Sequence, residues 1–468
     1  MIHRFRHTCI AAFPALLLAT AVATASPLES AAGATASPAT AIATEAGILP
    51  GNGTFAAIPD ELTLEECLKL ALDNNRSILS SRARTAAGRA KADQVFRSQL
   101  PTASVVSQET TYRDRTSPNV SDRQDVHRLA LNESFQPLGR YRSQSRAARA
   151  SIDAAIAEER RTLVDVAFQV SRAFYDMLLA DDLIRVASES VELRQKHRDH
   201  TAQLVESGTA PRFDLLRAEV QLSAARPALI KAIHNRSTAL ADLLHLLGID
   251  PSAQLRVVGS FPVVFPPLPL DEDRAIQLAC EQRPDLAAAI ASEEAARHQV
   301  DIARQALQPS IQLNGTLEQT RGIRAPIGQY KDNWTATVGL VYPVFDSGLS
   351  RAQRDEAKAA HDQARLNTEN TLSALRVDIR KAIAGVMEAE EVFASQEKNV
   401  EQAQEALDIA QVAYDTGAKT ALDVLDSEVA LTQARTLRAQ ALHQRAVAMA
   451  QLTRAIGLVP DPIKNALR

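Results

Sequence analysis

From Trp334 to Tyr342 the chain alternates. Trp334, Ala336, Val338, Leu340 and Tyr342 fall on one face, and Thr335, Thr337, Gly339 and Val341 on the other. That two-residue period is the signature of an extended strand. Ile311, Leu313 and Leu317 alternate in the same way with Gln312, Asn314 and Glu318. Leu129, Leu131 and Phe135 alternate more weakly with Ala130, Asn132 and Ser134, and residues 103–112 are mostly polar. Polar, proline-containing loops at 113–124 and 319–332 separate the members of each pair. The pattern predicts two strand–loop–strand hairpins, four strands in all.

Elsewhere the pattern is helical. The runs 140–206 and 349–416 contain no proline and a single glycine, Gly385. At 1.5 Å per residue each predicts a helix on the order of 100 Å long. Each run turns at a helix-stopping glycine, Gly208 or Gly417, and returns as a second long helix to Gly248 or Gly457. Pro227 predicts a kink or a local unwinding in the first returning helix. Shorter amphipathic helices precede the strands, the first from about Leu64 to Asn74 with Glu65 and Glu66 in its opening turn. Helices end ahead of Pro101 and Pro309, since proline stops a helix and starts the next segment in an extended conformation.

These elements occur twice. Gly208, Asp214, Leu216, Glu219, Val220 and Leu222 recur as Gly417, Asp423, Leu425, Glu428, Val429 and Leu431, a constant offset of 209 positions. The same offset carries Gly139 onto Gly348, Ala173 onto Ala382 and Gly248 onto Gly457, while Ala71 and Pro101 map onto Ala279 and Pro309 at an offset of 208. Each copy is far longer than the roughly 20–50 residues of a solenoid unit. The organisation is therefore a first repeat at 60–256, a proline-rich connector at 257–269, a second repeat at 270–460 and a tail at 461–468.

Composition agrees with long helices packed through small side chains. The 468 residues include only 17 glycines and 4% aromatics. A net charge of −4 with both signs interspersed implies neither a nucleic-acid nor an anionic-lipid surface. Arg4, Arg6 and His7 precede the apolar run 10–23, which ends in the small residues Ala21, Ala23 and Ala25. This reads as a signal peptide over 1–25, followed by a flexible Ala/Thr/Ser/Pro lead-in at 26–59. Cys9 lies ahead of the apolar run, so the usual N-terminal lipoprotein arrangement is absent. Cys67 and Cys280, one on the opening helix of each repeat, read as buried free thiols, with a disulfide between them the alternative in an oxidising compartment.

Four strands of about ten residues have the length of tilted transmembrane β-strands. Four cannot close a barrel, and lipid tolerates no open sheet edge. Several chains must pool their strands, and three would supply twelve. With helical hairpins too long to bury themselves in one globule, the assembly reads as an exported conduit. No nucleophile–base pair, phosphate loop or metal cluster is present in the sequence, so neither an enzyme nor a cofactor is expected.

Several motifs in this order resemble the TolC-like outer-membrane efflux channels of Gram-negative bacteria. They are the opening Leu-Thr-Leu-Glu-Glu-Cys-Leu of 62–68, the helix-ending Pro101 and Pro309, Tyr-Pro-Val-Phe-Asp-Ser-Gly over 342–348, and Tyr414-Asp-Thr-Gly417-Ala-Lys-Thr420-Ala-Leu-Asp423-Val-Leu-Asp426. The likeness spans 62–458. The first copy departs from it at Gln136-Pro-Leu-Gly139, which lacks the Phe-Asp-Ser insert of 345–347. The resemblance implies a mainly α fold with a membrane β-barrel portion: a homotrimer with a twelve-stranded barrel and an α-helical periplasmic tunnel. It implies residence in the outer membrane, in contact with its lipid, and docking to a periplasmic adaptor (membrane fusion) protein and an inner-membrane pump.

Asp423 and Asp426 are three apart, on one helical face at the tip of the second hairpin. Three chains would set six carboxylates around an axis, a cation-favouring ring whose mutual repulsion raises some of their pKa values. The resemblance makes this pair the periplasmic aperture. Arg217, the first-repeat equivalent of Asp426, with Lys419 and Arg212, are candidate partners for salt bridges that close it. Asp214 reads as a helix cap, and the plainer alternative for the second tip is that Asp423 caps its helix too and Asp426 is simply solvated. The resemblance assigns adaptor docking to the hairpin tips at Gly208, Thr209, Gly417 and Thr420. His197 and His200 have a ligand-like spacing but read as exposed surface histidines. Trp334, Val338, Leu340 and Tyr342 would face the membrane, with Trp334 and Tyr342 either in an interfacial belt or in strand packing. Two classes of function stay open. One is a channel, exporting small molecules such as drugs or metals, or proteins by type I secretion. The other is a soluble periplasmic coiled-coil scaffold.

Overall fold

The computed structural model describes residues 61–113, 121–136, 139–250, 253, 256–262, 271–321 and 331–458. The signal segment, the lead-in, the two strand-connecting loops, most of the connector and the C-terminal tail lie outside these residues.

Each repeat opens with two short helices whose joint is capped differently in the two copies. Helix α1 (Leu64–Asn74) starts at Thr63, where the Thr63 N–H donates to Glu66 Oε2 at 2.8 Å. Helix α2 (Arg76–Arg97) starts at Asn75, whose Oδ1 accepts from the N–H groups of Ser77 and Ile78. Such caps satisfy amide donors that the first turn leaves free. The second copy has α5 (Glu272–Gln282) and α6 (Pro284–Arg304), with Arg283 at the joint and Pro284 opening α6. Asn75 Nδ2 donates to the Leu246 carbonyl at 2.7 Å, and Arg283 Nη1 to the equivalent Ala455 carbonyl at 3.4 Å. Two different side chains thus tie equivalent joints to the ends of equivalent returning helices.

The long helices follow the sequence closely. Helix α3 (Arg140–Glu206) and α7 (Leu349–Asp415) each have 67 residues, and the returning α4 (Arg212–Leu247) and α8 (Ala421–Ile456) each have 36. Helix α3 packs on α4, α7 packs on α8, and α3 also lies against α2, α6 and α8. Along α4 the buried Ala218, Ala225 and Ala232 recur every seven residues, the interval that keeps one face on a coiled partner. The heart of the second repeat is an apolar cluster of Ala275 and Ala279 from α5, Leu375, Ile379 and Val386 from α7, and Leu452 and Ile456 from α8. Of the kink or local unwinding expected at Pro227, the unwinding does not occur, since α4 is continuous through it. A lost amide is tolerable where the packing of both flanks holds the helix together.

The four predicted strands form one antiparallel sheet: β2 (Thr102–Arg113), β3 (Ser121–Phe135), β5 (Ser310–Arg321) and β6 (Lys331–Val341), in the order β2-β3-β5-β6. They run longer than the alternation indicated, narrowing the expected loops, and Tyr342 stands just past the end of β6. Pairing of β3 with β5 fuses the two repeats. A two-residue parallel pair, β1 (Glu61–Leu62) with β4 (Arg256–Val257), closes the first repeat and leaves no pattern of its own in the sequence. Among the described residues β2 and β6 are each paired on one side only.

Both cysteines are free. Cys67 is buried, and burial, with the neighbouring Glu66 charge, pushes its thiol up to about 12. Cys280 is exposed, contrary to expectation: α5 turns Ala275 and Ala279 inward, so the residue after Ala279 points out.

Candidate functional site: a two-faced sheet and two hairpin tips

Residues directly opposite in an antiparallel pair share a face, so register sorts the sheet. Val105, Leu129, Leu317 and Trp334 form one continuous cross-strand row, and Phe135, Ile311 and Leu340 another. Val105, Trp334, Val338 and Leu340 are 77, 74, 76 and 72% exposed, and Tyr342 60%. The opposite face carries Asn132, Gln312, Asn314, Thr316, Thr335 and Thr337, and an Arg128–Glu318 ion pair at 2.6 Å. One face is thus a broad apolar surface that no element among the described residues covers, and the other is polar. Glu133 interrupts the apolar face opposite Leu313. Among the described residues no helix is long and apolar enough to cross a membrane.

Far along the helices from the joint, the two hairpins turn by one geometry. Gly208 (φ 74°) and Gly417 (φ 71°) take left-handed backbone, which glycine adopts without steric cost. Past each glycine two N–H groups return to one helix carbonyl: Thr209 and Ala210 to Leu204, and Ala418 and Lys419 to Ala413. Thr209 Oγ1 also donates to Leu204 O at 3.0 Å. The tips differ in the residue that starts the returning helix. Thr420 does so in α8, where its N–H and its hydroxyl both donate to Asp423 Oδ2, at 2.8 and 2.7 Å. Pro211 takes that place in α4, without a side-chain cap. Asp214 therefore does not cap its helix as expected: the partner it needs is a proline, with neither N–H nor hydroxyl.

Asp423 and Asp426 lie on the first turns of α8, Asp423 half-buried and Asp426 exposed, while Val424 and Leu425 turn inward. The Thr420 hydroxyl and amide hold the Asp423 carboxyl below the usual aspartate range, and the Lys419 charge acts the same way. Within one chain this side chain is thus shifted opposite to the rise that repulsion implies. Among the described residues neither Asp423 nor Asp426 makes an ion pair with Arg217, Lys419 or Arg212. Arg212 and Lys419 are exposed, and Arg217 is half-buried.

The histidines depart from their expected setting. His197 on α3 is buried at 4% exposure and faces Tyr414 of α7 and Glu428 of α8. His200 pairs with Asp415 at 3.5 Å. A helix about two turns from its end is shielded here by three others, which local sequence does not reveal. Among the described residues no group of three or more His, Cys, Asp or Glu is arranged to hold a metal. Glu428 appears in the sequence as a repeated motif residue, yet its burial is signalled only by its place between Val424 and Leu431 on one helical face.

The duplicated helical hairpins and the shared sheet have a match throughout. The family model for outer membrane efflux proteins fits residues 67–249 and 275–458, one match per repeat. The chain belongs to the outer membrane efflux protein family. It is 27% identical over 342 residues to Protein CyaE of Bordetella pertussis, covering 69% of this chain and 70% of that one. It is 25% identical over 429 residues to the pyoverdine export outer membrane protein OpmQ of Pseudomonas putida, covering 89% and 90%. The crystal structure of the Campylobacter jejuni CmeC outer membrane channel superimposes with a TM-score of 0.76 at 19% identity, over 86% of this chain and 88% of that one. The family places this chain in the outer membrane as an efflux protein, which sets aside the soluble-scaffold reading.

Proposed function

We propose that this chain is one third of a trimeric outer-membrane channel exporting small molecules received through a periplasmic adaptor and inner-membrane pump. The observation that carries the reading is the four-stranded sheet with an apolar face and two half-paired edges. In lipid those edges must be paired, here β6 of one copy with β2 of the next. Two copies would give eight strands, whose interior side chains fill. Three copies are the smallest ring with room for a polar lumen, and the Thr, Asn and Gln face lines it.

At the other end, three copies bring Asp423 and Asp426 to the axis. Asp423 is pinned to its own helix start and stays anionic, while Asp426 is exposed and free to meet a cation or a basic side chain. Opening widens this aperture as the hairpins part. Gly208, Thr209, Gly417 and Thr420, all exposed at the tips, form the docking surface for the adaptor. Small-molecule cargo is the reading that the export of pyoverdine by OpmQ favours.

Planar-bilayer recording of the purified protein beside Asp423→Ala/Asp426→Ala tests this. The wild type is expected to give small, cation-selective openings, and the double variant larger and less selective ones. Conductance that the substitutions leave unchanged would keep the channel and discard the aperture. Folded protein that never conducts would discard the channel.

A further inference from the structure

Glu428 occupies a position that the helix pattern reserves for an apolar side chain. Val424, Glu428 and Leu431 stand four and three apart on one face of α8. Val424 and Leu431 belong to a buried cluster with Leu407 and Ala410 of α7, against which Leu193 of α3 and Tyr414 of α7 pack. Glu428 is 2% exposed. Its Oε2 has no hydrogen-bond partner, and its Oε1 lies 4.0 Å from His197 Nδ1, too far for a hydrogen bond. Its first-repeat equivalent, Glu219, is exposed. Two buried titratable groups therefore face each other across the seam between the first hairpin and the second, less than two turns below the aperture carboxylates.

The charged groups around the pair compensate poorly. From α3, Arg194 acts on Glu428, but its Nη1 donates to the carbonyl and the Oε1 of Gln221 on α4, at 3.1 and 3.0 Å. His200 of α3 pairs with Asp415 of α7 at 3.5 Å. Asp214 of α4 acts on His197, and the Tyr414 ring of α7 lies 6.2 Å from it. An unpaired buried charge is costly, so each group is driven to its neutral form. Burial pushes Glu428 up to about 7, against the opposing Arg194 charge. Burial and the His200 charge push His197 down, against Asp214.

We propose that the closed seam holds a protonated Glu428 beside a neutral His197, and that parting of the hairpins, which returns both to water, makes opening pH-dependent with opposite slopes from the two residues. The consequence for the aperture rests on the channel reading above. The signs come from proton binding. The closed seam binds the Glu428 proton more tightly than the open one, so rising pH favours opening through Glu428. It binds the His197 proton less tightly, so falling pH favours opening through His197. With Glu428 returning from about 7 to an ordinary 4.5, opening through it grows about tenfold per chain between pH 6 and 8. With His197 returning to an ordinary 6.5, opening through it grows up to about fourfold from pH 8 to 6.

Single-channel recording at pH 6 and pH 8 separates the two. His197→Asn, which leaves Glu428 alone, is expected to open about tenfold more at pH 8. Glu428→Gln, which leaves His197 alone, is expected to open up to about fourfold more at pH 6, and the double variant at neither. One slope shared by all four proteins would overturn the proposal. Infrared spectroscopy of the wild type needs neither a variant nor a conducting pore. A protonated-carboxyl band that titrates away between pH 6 and 8 is expected, and its absence at pH 6 would overturn the protonated seam. A titrating band in protein that never conducts would instead refute the channel reading and leave the seam standing.

Discussion

Gly208, Gly248, Gly417 and Gly457 share a left-handed φ between 71 and 82°, so alanine at any of them carries a backbone penalty of about 1–2 kcal/mol. Their surroundings differ. At Gly208 and Gly417 an added Cβ meets nothing within 4 Å. At Gly248 it would stand 2.5 Å from the Asn74 carbonyl oxygen, and at Gly457 2.9 Å from Arg283 Cα. Both obstacles are backbone, at the joint of the short helices, and cannot swing aside. Overpacking of this kind adds about 1–3 kcal/mol. Loss of the helical circular-dichroism signal at a fixed high temperature, with purified protein in detergent, reads the difference. Where the overlap is relieved on the way to unfolding, Gly457→Ala and Gly248→Ala should unfold roughly 5- to 150-fold faster than Gly417→Ala and Gly208→Ala. The tip variants should instead lose efflux in cells, because they alter the proposed docking surface while loosening the fold less than the joint variants do. Tip and joint variants that unfold equally fast would refute the reasoning, by showing that the close approach at the joint carries no energy.

Three further outcomes are expected. The Asp423 carboxyl, held below its ordinary 3.8 by Thr420, loses its charge only as pH falls through that lowered value, so cation selectivity should persist to about pH 3.8 and below; Thr420→Ala should move its loss upward, and reversal potentials across a pH series show whether it does. Val338→Arg, on the apolar face proposed to meet lipid, should cost up to about 2–4 kcal/mol near the bilayer midplane and deplete the protein from outer-membrane fractions, whereas Thr337→Arg on the polar face should assemble normally and change conductance. Maleimide should label Cys280 in the folded protein and Cys67 only after denaturation, as mass spectrometry of the labelled peptides would show.

The candidate site was partly legible before folding was considered. Asp423 and Asp426 stand three apart at a helix start whatever surrounds them, and the Gly208 and Gly417 turns need no tertiary information. Asp423 could be read there either as a helix cap or as an aperture carboxylate, and the Thr420 bond that makes it a cap depends on the rotamers of one turn. Asp214 shows the same limit from the other side. Its repeat equivalence with Asp423 suggests a shared role, and one residue, Pro211 in place of Thr420, removes it. His197 looked like a surface residue because its neighbours on α3 are polar, and its burial comes from α7 and α8, more than 200 positions away.

The periods are properties of the residues alone: two-residue alternation for the sheet, long proline-free runs for the helices, and an offset of 209 that makes the second half a copy of the first. These are local or repeated properties, and each residue carries its own share of them. Folding sets which strands neighbour, since pairing of β3 with β5 joins the two copies through register rather than composition. It alone sealed Glu428 against His197, because burial belongs to the elements that converge on a residue. Two copies of one motif, Glu219 and Glu428, therefore share a sequence pattern and differ in environment, one in solvent and the other in the seam between hairpins.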